Sequence, residues 1–297
     1  MSLPGKAPLW EITCKIFLMN SMQGKRVIIT GSTSGVGREL ALQLAALGAD
    51  LTLACRDVEK GKQVATEIAR KNGSSTVDVM QIDTSSQESI RGFAREFQHK
   101  YDRLDVLINN AAINRGTLPK AVSFDGIELT FATNVLGYFL LTQELLNLLK
   151  QSVPSRIINV ASAYAQNLDL DDLEFKRREY ESFKAYSQSK ACDRLLTWAM
   201  ARRLDRSGVT ANAMTPSLIA TTGLFRHAEP ERVKQLARYS GGRTAAQGAD
   251  TAVWLACAPE LDGVTNKFFQ DRKELECEFR NEKDEEKLWK ICEELVK

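Results

Sequence analysis

A chain of 297 residues with 43% apolar and 26% charged residues can bury a sizeable core and is too apolar to stay disordered. Its formal charge of +2 lacks the basic excess that nucleic acid attracts, so no nucleic-acid partner is expected. Six cysteines without CxxC spacing and only two histidines, His99 and His227, argue against a disulfide framework and a histidine-built zinc site. The expectation is a protein with reduced, packed thiols and no metal, inside the cell and in the cytoplasm.

Residues 1–24 include PLWEITCKIFLMNSM, whose apolar run is too short to span a bilayer and lacks the shape of a cleaved signal. It reads as an amphipathic extension that packs on the domain or a partner, with peripheral membrane contact as the alternative. RVIIT, from Arg26 to Thr30, is the first strong strand, its β-branched run suited to a buried parallel position. GRELALQLAALG follows as a helix with Leu40, Leu44 and Leu47 at helical spacing, ended by Gly48. LTLAC is the second strand and Asp57 caps the next helix. VDVMQID is the third strand, Gln87 to His99 a helix, and LDVLIN the fourth strand.

A helix from about Phe131 to Leu149 leads to the fifth strand, RIINVA, and one from Tyr186 to Leu204 to the sixth, VTANAM. This alternation predicts an α/β fold: one doubly wound, Rossmann-type parallel sheet of about seven strands in three α/β/α layers. Residues 25–297 read as one domain because no composition break divides them. Two segments look added, 166–185, highly charged, and 217–242, an irregular lid. Both fall beyond carboxyl ends of strands, where ligands bind in such sheets, and are expected to shape a substrate pocket. Asp284 to Lys297 forms a charged C-terminal helix.

Gly31, Ser32, Thr33, Ser34, Gly35, Val36 and Gly37 join the first strand to the first helix. Glycine there lets backbone approach a pyrophosphate that the helix N-terminus then receives. An acid at the end of the second strand would hold unphosphorylated ribose; here stands Arg56, and Arg38 follows Gly37. Two guanidinium groups point to a 2′-phosphate and so to NADP(H). Asp83, at the end of the third strand, is a candidate contact to the adenine amino group, or a helix cap.

Tyr186 and Lys190 in YSQSK share one helix face. A phenol titrates near about 10, and a neighbouring cation is expected to lower that value and make Tyr186 a usable acid and base. Ser162, at the end of the fifth strand, would hold a substrate oxygen. Asn134, polar within an apolar helix, would position a water beside Lys190, or be a satisfied buried amide. Together these four predict hydride transfer between a nicotinamide and a small-molecule carbonyl or alcohol, with Tyr186 as general acid and base.

TGSTSGVG from Thr30, NNAA from Asn109, NVLGYF from Asn134, NVAS ending at Ser162, YSQSK from Tyr186, TPS at Thr215 to Ser217 and the EKLWKICEELV tail occur in an order that resembles the short-chain dehydrogenase/reductase family. Within it the chain is similar to the retinol dehydrogenase and WW-domain oxidoreductase branch. The resemblance makes Asn134, Ser162, Tyr186 and Lys190 a catalytic tetrad and Asn109 a structural support. It assigns cofactor contacts to Asn110, Ala111, Pro216 and Thr221 as well as to Tyr186 and Lys190, and it implies a homodimer through the helices that hold Asn134 and Tyr186. Ala161 and Ser217 depart from the serine and glycine of relatives, and glycine at the second position would offer backbone angles a serine resists. The charged lid FRHAEPERVKQLARYSGG departs from retinoid-active relatives. Reduction of a carbon–carbon double bond and a cofactor-binding scaffold are the competing readings.

Overall fold

The computed structural model describes residues 21–72, 76–220 and 222–297. The expected N-terminal extension, up to residue 20, and Thr221 lie outside the described residues. Strands β1 (Arg26–Thr30), β2 (Asp50–Cys55), β3 (Val77–Gln81), β4 (Val106–Asn109), β5 (Ser155–Val160), β6 (Val209–Met214), β7 (Phe268–Gln270) and β8 (Lys273–Leu275) form one sheet in the order β3-β2-β1-β4-β5-β6-β7-β8. All neighbours are parallel except β7 and β8. Side chains alternate between two cores: Ile28 and Ile157 enter one, Val27, Ile29 and Ile158 the other. That alternation explains why these strands read as continuous apolar runs, since both faces are covered.

Helices α1 (Gly35–Ala46), α2 (Val58–Asn72), α3 (Gln87–Lys100), α4 (Gly137–Gln151), α5 (Ser182–Arg203), α6 (Pro230–Tyr239), α7 (Ala245–Cys257) and α8 (Glu282–Leu295) complete three layers. Helix α5 starts at Ser182, four residues before Tyr186, so Tyr186 sits in the second turn, held on both sides by helix. Leu129–Phe131 and a π-helical turn, Ala132–Leu136, precede α4; such turns mark places where a helix is deformed to aim particular groups, and Asn134 is at its centre. Helix α7, capped by a Thr244–Gln247 box, packs on α1. It is buried nearly all round by small residues, so it carries no clear apolar stripe in the sequence. The sheet has one strand more than expected because Asp271 and Arg272, both at positive φ (51° and 58°), turn the chain back after β7, as a two-residue hairpin requires.

Of the two added segments, 217–242 lines the main cavity through several residues, whereas 166–185 reaches it only through Phe183. Residues 166–181 stand away from it. They fold around the buried Asp172 carboxylate, which accepts from the amides of Lys176 (2.7 Å) and Arg178 (2.9 Å). Burial opposes its charge, but the amides of Arg178, Lys176 and Arg177 hold it below the usual carboxylate range. Gln188 Oε1 accepts from Asp169 N at 3.0 Å, so the segment is fastened to the outside of α5. Cys55, Cys192, Cys257, Cys277 and Cys292 are free thiols, as reduced packed cysteines should be.

Helix α8 lies against α5. Trp289 meets Phe139 edge-on at 4.9 Å, the Arg203 guanidinium stacks on its ring at 4.0 Å, and Arg202 pairs with Glu285 and Glu286. Replacing Trp289 with alanine empties a buried aromatic site and is expected to cost about 3–5 kcal/mol, read as a lower urea midpoint with an unchanged slope.

Candidate functional site

The sheet order reverses between β1 and β4, and the loops that leave these strands part to open a crevice. A hydrogen-bond latch shapes it. Thr30 Oγ1 accepts from the amides of Asn110 (2.9 Å) and Ala111 (3.0 Å), while Asn110 Nδ2 donates to the carbonyls of Thr30 (2.8 Å) and Gly31 (3.3 Å). Gly31 turns at φ +66°, and a Cβ on Gly37 would lie 2.2 Å from the Gly31 carbonyl oxygen. Glycine is therefore required for α1 to pack this closely on the loop. Ser34, the N-cap of α1, makes no side-chain cap, which leaves the first-turn amides for a ligand anion.

A cavity of about 570 Å³ runs from this loop along the carboxyl ends of the strands. Gly31, Thr33, Ser34, Gly35, Val36, Gly37, Arg56, Asn110 and Ala111 wall one end; Ser162, Tyr186, Lys190 and Pro216 wall the middle. Tyr164, Phe183, Leu224, Phe225 and Leu236 add apolar surface to its wall, so the 217–242 segment does shape the pocket. Ser32 is buried and does not face the cavity. Neither does Arg38, whose guanidinium is bound within 2.6 Å to Glu39 and Glu67. A charge already neutralised by two carboxylates is a poor receiver for a phosphate; Arg56 lines the cavity, as do Asp57 and Lys60, which pair with each other at 2.9 Å. Asp83 also turns away, accepting from the amide and hydroxyl of Ser85, with Ile82 and Thr84 facing the cavity instead.

At the middle of the cavity Lys190 Nζ, buried, donates to the Val160 carbonyl at 2.9 Å and to Asp193 Oδ2 at 2.8 Å. The Tyr186 ring centroid is 6.0 Å from that ammonium. Burial pushes the Tyr186 phenol up, and the Lys190 charge and the Ser162 hydroxyl pull it back only in part. The net direction is upward, against the sequence expectation, because burial outweighs the cation. Asn134 exchanges hydrogen bonds with the backbone of Ile113 (2.9 and 3.1 Å) and donates to Ser189 Oγ at 2.9 Å. Its amide ties the β4 loop to α5, and none of these bonds reaches Lys190.

The sequence reading passes over Asp193 and its neighbour Arg194, which donates to the Ser162 carbonyl at 2.5 Å and stacks on Phe268 at 4.0 Å. Their signal was present in the string KACDR: charges at consecutive positions of a helix whose surroundings are apolar. Ser217 does adopt a left-handed φ of +62°, a conformation that costs a residue with a Cβ about 1–2 kcal/mol. The lid crosses the cleft and fastens to the opposite loop: the His227 carbonyl accepts from the Thr117 amide at 2.9 Å and its hydroxyl at 3.1 Å. Gly116 permits that approach, since a Cβ there would sit 2.0 Å from the same oxygen.

A crevice at a topological switch point is where sheets of this kind receive dinucleotides, and the family comparisons agree with that class of protein. Residues 25–232 match the short chain dehydrogenase family. Retinol dehydrogenase 14 from Homo sapiens is 38% identical over 296 residues, covering 93% of this chain and 87% of the relative. Retinol dehydrogenase 13 from Homo sapiens is 39% identical over 262 residues, covering 86% and 78%. Among solved structures, one from Mycobacterium paratuberculosis superposes with a TM-score of 0.73 at 29% identity, covering 94% of this chain and 95% of that one. RhlG from Pseudomonas aeruginosa, solved with NADP, gives 0.68 at 25% identity, covering 85% and 96%.

The chain belongs to the short-chain dehydrogenase family, in its retinol dehydrogenase branch, whose members use NAD(P)(H) to act on alcohol and carbonyl groups. The glycine cradle and the free first-turn amides fit such a cofactor. Among the described residues no helix is long and apolar enough to cross a membrane, and no cluster of metal ligands occurs. Gly37→Ala, which forces a Cβ onto the Gly31 backbone, is expected to weaken dinucleotide binding by about tenfold or more, measured by fluorescence titration.

Proposed function

We propose that this protein interconverts an aldehyde or ketone with its alcohol, using NADP(H), on a lipophilic or medium-sized substrate. The observation that carries the reading is the convergence of Tyr186, Ser162 and Lys190 on one cavity whose wall also carries Arg56 and a set of apolar side chains. The bound cofactor supplies or accepts the hydride. Ser162 and Tyr186 hold the substrate oxygen, and Tyr186 gives it a proton as negative charge develops there; in the oxidative direction Tyr186 takes that proton. Lys190, fixed to Val160, holds positive charge beside the phenol.

Preference for the phosphorylated cofactor rests on Arg56, which follows β2, while the acid beside it, Asp57, is engaged by the amide and ammonium of Lys60 on α2. Lipophilic substrates are favoured by Tyr164, Phe183, Leu224, Phe225 and Leu236, and the names of the relatives make retinaldehyde one compound to test. Arg226 and Arg232 also line the cavity, Arg232 within 6.0 Å of the Phe183 ring, which widens the candidates to carbonyl compounds that also carry a polar or acidic group.

The deciding experiment is turnover of purified protein against retinoids, aliphatic and aromatic aldehydes, and ketones with each cofactor, followed by nicotinamide absorbance. NADPH-dependent reduction of a lipophilic carbonyl is the expected result, and binding of cofactor without turnover of any carbonyl would overturn the reading. Tyr186→Phe is expected to keep NADPH binding and lose about 10²–10⁴-fold in kcat; normal turnover would remove Tyr186 from its role. Arg56→Glu is expected to weaken NADPH about tenfold or more beyond any loss for NADH, and equal losses in a binding titration would reject the 2′-phosphate assignment.

A further inference from the structure

The wall of the cavity is unevenly charged. Arg56, Lys60, Lys190, Arg226 and Arg232 line it, and Asp57 is the one acid among its described residues. Most of these cations are already engaged. Lys60 pairs with Asp57 and Lys190 with Asp193, and Arg56 is assigned above to the cofactor phosphate. Arg226 folds back so that its Nε donates to the Gly223 carbonyl at 2.6 Å. Arg232 is the exception: among the described residues it takes part in no ion pair, although Glu231 beside it pairs with Lys234 at 2.7 Å.

Arg232 also stands on the inward side of its helix. Leu236, four positions on, is the buried residue of α6, and both line the cavity; residues at this spacing share a helix face. Charges on a covering helix belong on its outer face, where Glu231 and Lys234 are exposed. Arg232 is exposed as well, so it occupies the cavity rim, with its guanidinium 6.0 Å from the centre of the Phe183 ring. Phe183 meets Tyr164 edge-on at 5.8 Å and precedes Tyr186 by one turn of α5.

We propose that Arg232 is a specificity-determining residue that receives an anionic group of the substrate, so that the cavity selects carbonyl compounds carrying a carboxylate beyond an apolar spacer. The proposal rests on the carbonyl–alcohol chemistry given above. Side chains three apart on a helix are about 5–6 Å from one another, so a carbonyl held at Tyr186 and an acid held beside Phe183 are separated by roughly an aromatic ring or a short alkyl chain. Tyr164 and Phe183 supply the apolar surface for that spacer. A guanidinium offers a carboxylate two parallel donors, which at an exposed rim is worth a factor of about five to ten in affinity. The contact lies away from the reacting carbon and is made equally before and during hydride transfer, so it acts on KM and not on kcat.

Two matched pairs of probes test this: para-formylbenzoate with its methyl ester, and azelaic semialdehyde with its methyl ester. The wild-type protein is expected to reduce each acid with a kcat/KM about five- to tenfold above that of its ester, through KM. Arg232→Leu is expected to erase that ratio and Arg232→Lys to restore part of it. Equal values for acid and ester in the wild type, or a ratio that survives Arg232→Leu, overturn the proposal and leave the carbonyl activity standing. A fall in NADPH affinity in Arg232→Leu assigns the arginine to the cofactor and overturns it as well. Binding is measured without turnover by ligand-observed NMR titration of para-methylbenzoate and para-methylbenzamide in the presence of NADP+. The anion is expected to bind more tightly, with the difference lost in Arg232→Leu, and equal binding of the two overturns the proposal. A protein that shows this preference yet reduces no carbonyl keeps the subsite and counts against the proposed activity.

Discussion

The amide of Asn110 is the contact on which the nucleotide side of the cleft depends. It reaches from the end of β4 to the carbonyls of Thr30 and Gly31, across the line where the two halves of the sheet diverge. Its nitrogen also stands where a Cβ on Gly37 would come within 2.6 Å. Thus the loop's turn, the seating of α1 and the separation of the β1 and β4 ends are one arrangement. The parallel sheet creates the crevice, and this side chain sets its width.

The opposite wall is set by polar anchoring of α5 to the end of β5. Lys190 reaches the Val160 carbonyl, Arg194 reaches that of Ser162, and Asp193 neutralises Lys190. Charged groups are costly inside a protein unless paired, and a buried pair contributes to specificity of geometry more dependably than to stability. Arg194 has a different compensation, its guanidinium lying over the Phe268 and Phe279 rings at 4.0 and 5.7 Å, where the ring faces carry negative potential. Hydrophobic packing alone would let a helix slide by a fraction of a turn. Directional bonds from two successive turns of α5 to the end of β5 fix where the Tyr186 phenol stands.

Strands β1 to β6, the glycine loop and the Tyr186–Lys190 face are legible in the sequence because each is a local pattern: a β-branched run, a turn requirement, a helical spacing. What escapes the sequence depends on contacts between distant segments. Arg38 looks available beside Gly37, yet Glu67, on another helix, takes it. Asp83 and Asn134 stand at the expected positions, but their side chains serve Ser85, Ile113 and Ser189. In the charged 166–185 segment only Phe183 reaches the cavity, and composition does not separate it from residues 166–181, which gather around Asp172. A Lys–Asp pair three residues apart reads as solvent-facing, and only the packing of α4 and α8 around it makes Asp193 an internal charge.

The hairpin that ends the sheet has a bearing on how the molecule meets copies of itself. An edge strand offers unpaired backbone groups on which another sheet can grow. Here that edge is β8, three residues long, with Lys273, Glu274 and Leu275 all exposed and Glu274 paired to Lys267 at 2.8 Å. A strand so short and so charged is a poor template for edge-to-edge pairing, so the turn at Asp271 and Arg272 replaces the apolar β7 edge with one that discourages aggregation.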